Sequence, residues 1–187
     1  PYTSVPFKAK KILEGGTLTA DQFTFTLMEY ESDFETVKED GIGQSETNAA
    51  PTGENAFGEV TFEDVILTDT TTRYFIIKET IPTGEHEDGT IIYDTHEQKI
   101  TVSVTNTDGV LMATKTYEPA YSENGYDASF ENEQLGSVQV TKTFSGIESS
   151  QIPPDFQIVA TWTVDDNQYT ATLTLSSTAH TVDGKYI

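Results

Sequence analysis

Apolar and polar residues alternate along most of this chain. Val5, Phe7, Ala9, Lys11 and Leu13 share one phase, and Lys8 and Lys10 share the other. Period two marks a half-buried β-strand. Gly15 and Gly16 interrupt that strand. Phe23, Phe25 and Leu27 predict the next one. Residues 31–58 carry Gly41, Gly43, Pro51, Gly53 and many acids, and read as a long loop. Strands resume at Val60–Phe62, Tyr74–Ile77, Ile91–Tyr93 and Ile100–Val104. Asp108-Gly109 is a hairpin signal, and the segments Val110–Tyr117 and Ala128–Asn132 complete the series. Many short strands separated by turn residues predict an all-β fold, a β-sandwich.

The pattern then begins again. Val138, Val140, Lys142 and Phe144 repeat the phase of Phe7, Ala9, Lys11 and Leu13, and Asp155-Phe156-Gln157-Ile158 repeats Asp21 to Phe25. An internal repeat points to tandem domains: a complete one over 1–135 and the start of a similar, incomplete one over 136–187. The interval from Lys11 to Glu79, laid off from Lys142, runs past Ile187. Lys142 is therefore expected to act as a donor whose partners lie beyond this sequence.

Composition narrows the function classes. Of the 187 residues 35% are hydrophobic, yet 11% are aromatic, enough large rings to fill a core on a pleated surface. The net charge is −21 and no basic stripe offsets it, which excludes nucleic acid as a partner and disfavours anionic membrane surfaces. No apolar stretch approaches transmembrane length, so direct membrane insertion is not expected. Without cysteine there is no disulfide and no thiol chemistry. The chain opens on Pro1 and reads as a processed protein or a fragment.

The candidate chemistry lies in polar residues at apolar phase. Lys11 falls on the core side of its strand, Glu79 continues the phase of Phe75 and Ile77, and Asn132 continues that of Ala128 and Phe130. Burial would deprotonate the Lys and hold a proton on the Glu. The amine could then attack the Asn carboxamide while the acid polarises its carbonyl oxygen and shuttles protons. Ammonia would leave and an amide would join two strands. Phase alone leaves a second reading open, in which Lys11 snorkels from a sheet edge and Glu79 and Asn132 sit at solvated strand ends.

Several segments, in order, resemble one known family. These are Ala9 to Gly15, Gln22 to Leu27, Gly58 to Phe62, Tyr74 to Glu79, Ile92 to Asp94, Ile100 to Val104, Asp108 to Leu111, and Phe130 to Asn132. Over the first 135 residues the chain is similar to the streptococcal pilin isopeptide-linkage domain of Gram-positive surface proteins. The resemblance implies an Ig-like β-sandwich of the collagen-adhesin B type. It also implies that Lys11 is the bond-forming lysine, Glu79 the catalytic acid and Asn132 the acceptor. It implies a structural role with a single-turnover, autocatalytic cross-link rather than enzymatic turnover, and no cofactor. The implied location is extracellular, on the cell wall or pilus. The implied partners are neighbouring pilin subunits or other domains of the same surface protein, joined by a sortase. Shaft pilins usually carry an intersubunit Lys shortly before the last strand. Tyr121 to Asp127 contain none, which leaves Lys115 as the nearest candidate.

Rival functions remain open to the sequence. Loop 31–58 could contact a host matrix protein or glycan, making the chain a ligand-binding adhesin module. A secreted hydrolase lacks a catalytic set. No metal site is expected. His86, His96 and His180 lack ligand spacing. His86 among acids reads as a solvated loop, and Asp165-Asp166-Asn167 as a turn, with calcium the rival in both. Trp162 reads as core.

Overall fold

The computed structural model describes residues 1–52, 56–83, 90–136, 146, 156–164 and 167–175. The chain divides into two compact units, Pro1–Gln134 and Leu135–Ile187. In the first unit the strands are β1 (Thr3–Val5), β2 (Lys8–Glu14), β3 (Thr24–Tyr30), β4 (Gly43–Thr47), β5 (Gly58–Thr61), β6 (Val65–Leu67), β7 (Arg73–Glu79), β8 (Ile91–Ile92), β9 (Glu97–Thr107), β10 (Val110–Glu118) and β11 (Ala128–Gln134). A five-stranded sheet has the order β10-β9-β7-β3-β4, and a four-stranded sheet the order β5-β2-β11-β8. A short pair, β1 with β6, stands beside them. The unit is an all-β, Ig-like sandwich.

Pro6 divides the first predicted strand. Proline cannot donate to a ladder, and at that point the chain changes partners. Thr3–Val5 pairs with Val65–Leu67, while Lys8–Lys11 pairs with Gly58–Thr61. The 31–58 segment contains a strand where the sequence reads as loop. Gly43–Thr47 lies along β3, with Thr24 opposite Thr47 and Met28 opposite Gly43. It forms a sheet edge in which residues are half-buried or exposed and none is buried, so its sequence carries no apolar alternation. The turn before it is anchored by buried Glu29, which accepts from Lys38 Nζ at 2.7 Å, Arg73 Nη1 at 3.2 Å and Ile42 N–H at 3.2 Å. The β9–β10 hairpin forms where Asp108-Gly109 predicts it. Both residues have positive φ, 53° and 83°, as a two-residue turn matching strand twist requires.

One pairing positions the polar residues that keep step with the core. β2 and β11, the first and last long strands of the unit, run parallel, with Lys11 opposite Phe130 and Leu13 opposite Asn132. Side chains two apart on a strand share a face, so Lys11 and Asn132 both point into the sandwich from neighbouring strands. Between the sheets lie Phe7 against Phe75, ring centroids 5.1 Å apart, and Phe25 against Phe130 at 5.3 Å. Val5, Ala9, Leu27, Ile77, Ile100 and Val102 fill the same core.

In the second unit, β12 (Phe156–Val164) and β13 (Asn167–Leu175) pair antiparallel from Phe156 opposite Leu175 to Val164 opposite Asn167. Trp162 lies on β12. Val138, Val140, Lys142, Phe144, Asp165, Asp166 and His180 lie outside the described residues, as does His86 of the first unit.

The core places a firm demand on Phe75, whose ring is fully buried against Phe7. Phe75→Ala should lose about 3–5 kcal/mol. The measurement is a denaturant midpoint at unchanged slope. A loss under about 1 kcal/mol would mean that this ring does not hold the two sheets together.

Candidate functional site: a buried Lys–Glu–Asn cluster

Lys11, Glu79 and Asn132 come together inside the sandwich. Their relative exposures are 0%, 5% and 0%. Lys11 arrives from β2 and Asn132 from β11, side by side in one sheet; Glu79 reaches across from the last position of β7 in the facing sheet. β2 alternates half-buried and buried from Lys8 to Leu13, and Lys11 occupies a buried position between Ala9 and Leu13, as the apolar phase predicts. The snorkelling alternative does not describe this lysine, whose side chain is fully enclosed.

One carboxylate bridges the other two groups. Lys11 Nζ donates to Glu79 Oε2 at 2.7 Å, and Asn132 Nδ2 donates to Glu79 Oε1 at 2.7 Å. The remaining atom of the carboxamide, Asn132 Oδ1, accepts from the backbone N–H of Asp94 at 2.8 Å. A backbone N–H can only donate, so it fixes which end of the amide faces it. Glu79 therefore meets the carboxamide nitrogen. The sequence suggests that Glu79 polarises the oxygen, but the backbone already holds that atom. The ring of Phe23 lies 4.6 Å from Lys11 Nζ and that of Phe25 lies 6.0 Å away, closing the site with apolar and π surface.

Burial sets the protonation tendencies. It lowers the Lys11 amine below its ordinary value, against the hydrogen bond and charge of Glu79. It raises the Glu79 carboxyl, against the opposing pull of Lys11 and the Asn132 hydrogen bond. Both directions favour moving one proton from the amine to the acid. Such a transfer would leave a neutral amine and a protonated carboxyl, the carboxyl in contact with the carboxamide nitrogen of Asn132.

Asp94, which sequence reasoning does not single out, completes the arrangement. Its Oδ2 accepts from Glu131 N–H at 3.0 Å, and its Oδ1 accepts from His96 N–H at 3.0 Å and lies 2.7 Å from His96 Nδ1. Burial alone would raise this carboxyl, but the Glu131 and His96 hydrogen bonds outweigh it and hold it below the usual range. The His96 ring stacks on Phe130, centroids 4.4 Å apart at 21°. The trace in the sequence is an Asp between a short strand and a long one, a common turn-forming position; nothing in it specifies where the N–H points.

Lys115 lies elsewhere, in a groove of about 580 Å³ lined by Lys8, Tyr117, Tyr121, Tyr126 and Asp127. Its Nζ pairs with Asp127 Oδ1 at 2.7 Å, donates to the carbonyl of Pro6, and sits 4.2 Å from the Phe7 ring centroid. Tyr117 donates to the same Asp127 oxygen at 2.8 Å. Among the described residues no group of three His, Asp or Glu side chains is arranged to hold a metal ion.

These features define a class: an Ig-like sandwich in which a buried acid from one sheet bridges an amine and a carboxamide carried by the first and last long strands, neighbours in the other. The family model described as FctA, a Spy0128-like isopeptide-containing domain, matches residues 7–135, and the chain belongs to that family. This is the pilin isopeptide-linkage family that the ordered motifs resemble, and it is a structural family rather than a family of enzymes. Among solved structures, the major pilin protein (T-13) from Streptococcus pyogenes is similar over 94% of this chain and 75% of that one, at 14% identity and a TM-score of 0.41. No curated protein sequence matches the chain.

The buried acid gives a pH test. In Lys11→Met, Glu79 keeps its burial and loses its cation, so its carboxyl stays raised in the folded chain and ordinary, near 4.5, in the unfolded one. The folded state then binds more protons above that value, and stability falls as pH rises toward neutrality. Denaturation midpoints across this range should show the decline. A flat or rising profile would contradict the burial of Glu79.

Proposed function

We propose that the first unit closes an amide between Lys11 Nζ and Asn132 Cγ, with Glu79 as the proton shuttle. We propose also that the domain serves as a stalk or subunit module of a Gram-positive pilus or comparable surface protein. The observation that carries this reading is the contact set itself: each oxygen of one buried carboxylate meets one reacting nitrogen, at 2.7 Å in both cases.

The steps balance. Glu79 takes a proton from Lys11, leaving a neutral amine that attacks Asn132 Cγ. The second amine proton passes through Glu79 Oε2 as the new bond forms, and Oε1 delivers a proton to Asn132 Nδ2. The Cγ–Nδ2 bond breaks, ammonia leaves, and a secondary amide remains beside a protonated Glu79. Holding the groups in place removes the cost of a bimolecular encounter, a contribution of roughly 7–11 kcal/mol. No cofactor enters the scheme.

The bond would tie β2 to β11 and so join the two ends of the unit. A load applied along the chain would then pass through a covalent link between neighbouring strands and leave the hydrogen-bond ladder unstressed. That suits a surface stalk whose sequence has no cysteine for disulfides. On this reading neighbouring subunits are joined by a sortase. Lys115 is the candidate acceptor, and it must leave Asp127 to react.

Intact mass under denaturing conditions should fall below the sequence mass by one ammonia, and Glu79→Gln should fold without that loss. Closing a loop of about 120 residues stabilises by about 4–5 kcal/mol in the chain-entropy account of cross-links. The variant should therefore melt well below the wild-type chain. An unreduced wild-type mass, or an ammonia loss that persists in Glu79→Gln, would contradict the scheme.

A further inference from the structure

When Lys11 attacks Asn132, negative charge develops on Asn132 Oδ1. In many acyl transfers that charge is met by fixed donors, and the donor's placement decides the rate. Glu79 cannot serve here, because both of its oxygens are committed to nitrogens. The group at the oxygen is the backbone N–H of Asp94, at 2.8 Å.

How that N–H comes to be free is a matter of register. β8 is antiparallel to β11 and pairs Ile91 with Gln134 and Ile92 with Glu133. Continued two residues further, the same register would set Asp94 against Glu131. The strand stops at Ile92 instead, and the Asp94 carboxylate replaces the missing backbone acceptor by receiving Glu131 N–H at 3.0 Å. Its other oxygen receives His96 N–H at 3.0 Å and closes the turn into β9. The His96 ring, packed on Phe130 one residue before Glu131, braces that turn from the β11 side. With the side chain taking the place of a ladder carbonyl, the Asp94 main-chain N–H is left to point at the neighbouring side chain, Asn132.

We infer that the turn at Asp94 supplies the oxyanion donor of the cross-linking reaction: its backbone N–H stabilises the charge on Asn132 Oδ1, and its carboxylate is the positioning group that aims that N–H. The inference rests on the Lys11–Asn132 reading. It adds a division of labour, in which Glu79 moves protons between the two nitrogens and Asp94 holds the oxygen. The bound carboxamide is also oriented before reaction, with its leaving nitrogen already at the acid and its oxygen already at the donor.

The test uses the full chain made by cell-free translation, quenched into denaturant at intervals and weighed intact to follow ammonia loss. One sample carries the α-hydroxy-acid analogue of aspartate at position 94. This turns the N–H into an ester oxygen and keeps the carboxylate. Removing one such donor should slow the loss on the order of a hundredfold. Asp94→Ala should slow it too, and Asp94→Asn, which retains an acceptor for His96 N–H, should recover part of the rate. The same changes placed on Lys11→Ala, where no bond can form, read their structural cost as melting temperatures. An ester chain that closes at the wild-type rate overturns the inference. So does a slow Asp94→Ala chain alongside a normal ester chain, since that pattern makes Asp94 purely structural. A wild-type chain that never loses ammonia sinks the underlying reading, and this inference with it.

Discussion

Everything distinctive about this domain depends on burying an amine and a carboxyl against each other inside an apolar sandwich. Lys11 and Glu79 are both almost wholly removed from water. Moving two charges into such a site costs several kcal/mol each, and their attraction repays it only when geometry and hydrogen bonding are complete. Here each polar atom of the cluster has a partner: the amine, both carboxylate oxygens and both ends of the Asn132 amide. The same desolvation weakens the charged forms and tilts the proton toward Glu79. In the proposed reaction this cost is lifted altogether, because the product is a neutral amide beside a neutral acid. Burial is therefore both a cost to the unlinked core and, in the proposed reaction, the source of reactivity.

The strand topology turns that chemistry into mechanics. Parallel neighbours cannot be joined by a hairpin, and here the connection between β2 and β11 runs through every strand from β3 to β10. Their contact joins the two ends of the unit, and a cross-link there secures the most chain. Glu79 comes from the opposite sheet. The three-residue geometry therefore exists only once both sheets have packed, and the proposed bond formation would be coupled to that packing.

The sequence shows the site more clearly than the fold. A strand's side chains alternate, so a Lys, a Glu and an Asn that each keep step with Phe, Ile and Ala stand out in the sequence itself. The ordered motifs identify the family for the same reason. The elements that the sequence hides lack such a signature. β4 buries little, and β6 is three residues long. The division of the first strand turns on Pro6, which leaves the apolar phase intact while changing the hydrogen-bond partner. Asp94 is hidden because its contribution is a main-chain N–H, and every residue except proline has one. Only the register of β8 against β11 shows where it points.

The central claim is the covalent connection between residue 11 and residue 132. Proteolysis of the denatured wild-type chain followed by tandem mass spectrometry tests it most directly. The account predicts a branched peptide joining the segment around Lys11 to the segment around Asn132, with fragment ions that place the junction at those two side chains. Two separate linear peptides, with Lys11 open to amine acylation, would contradict it.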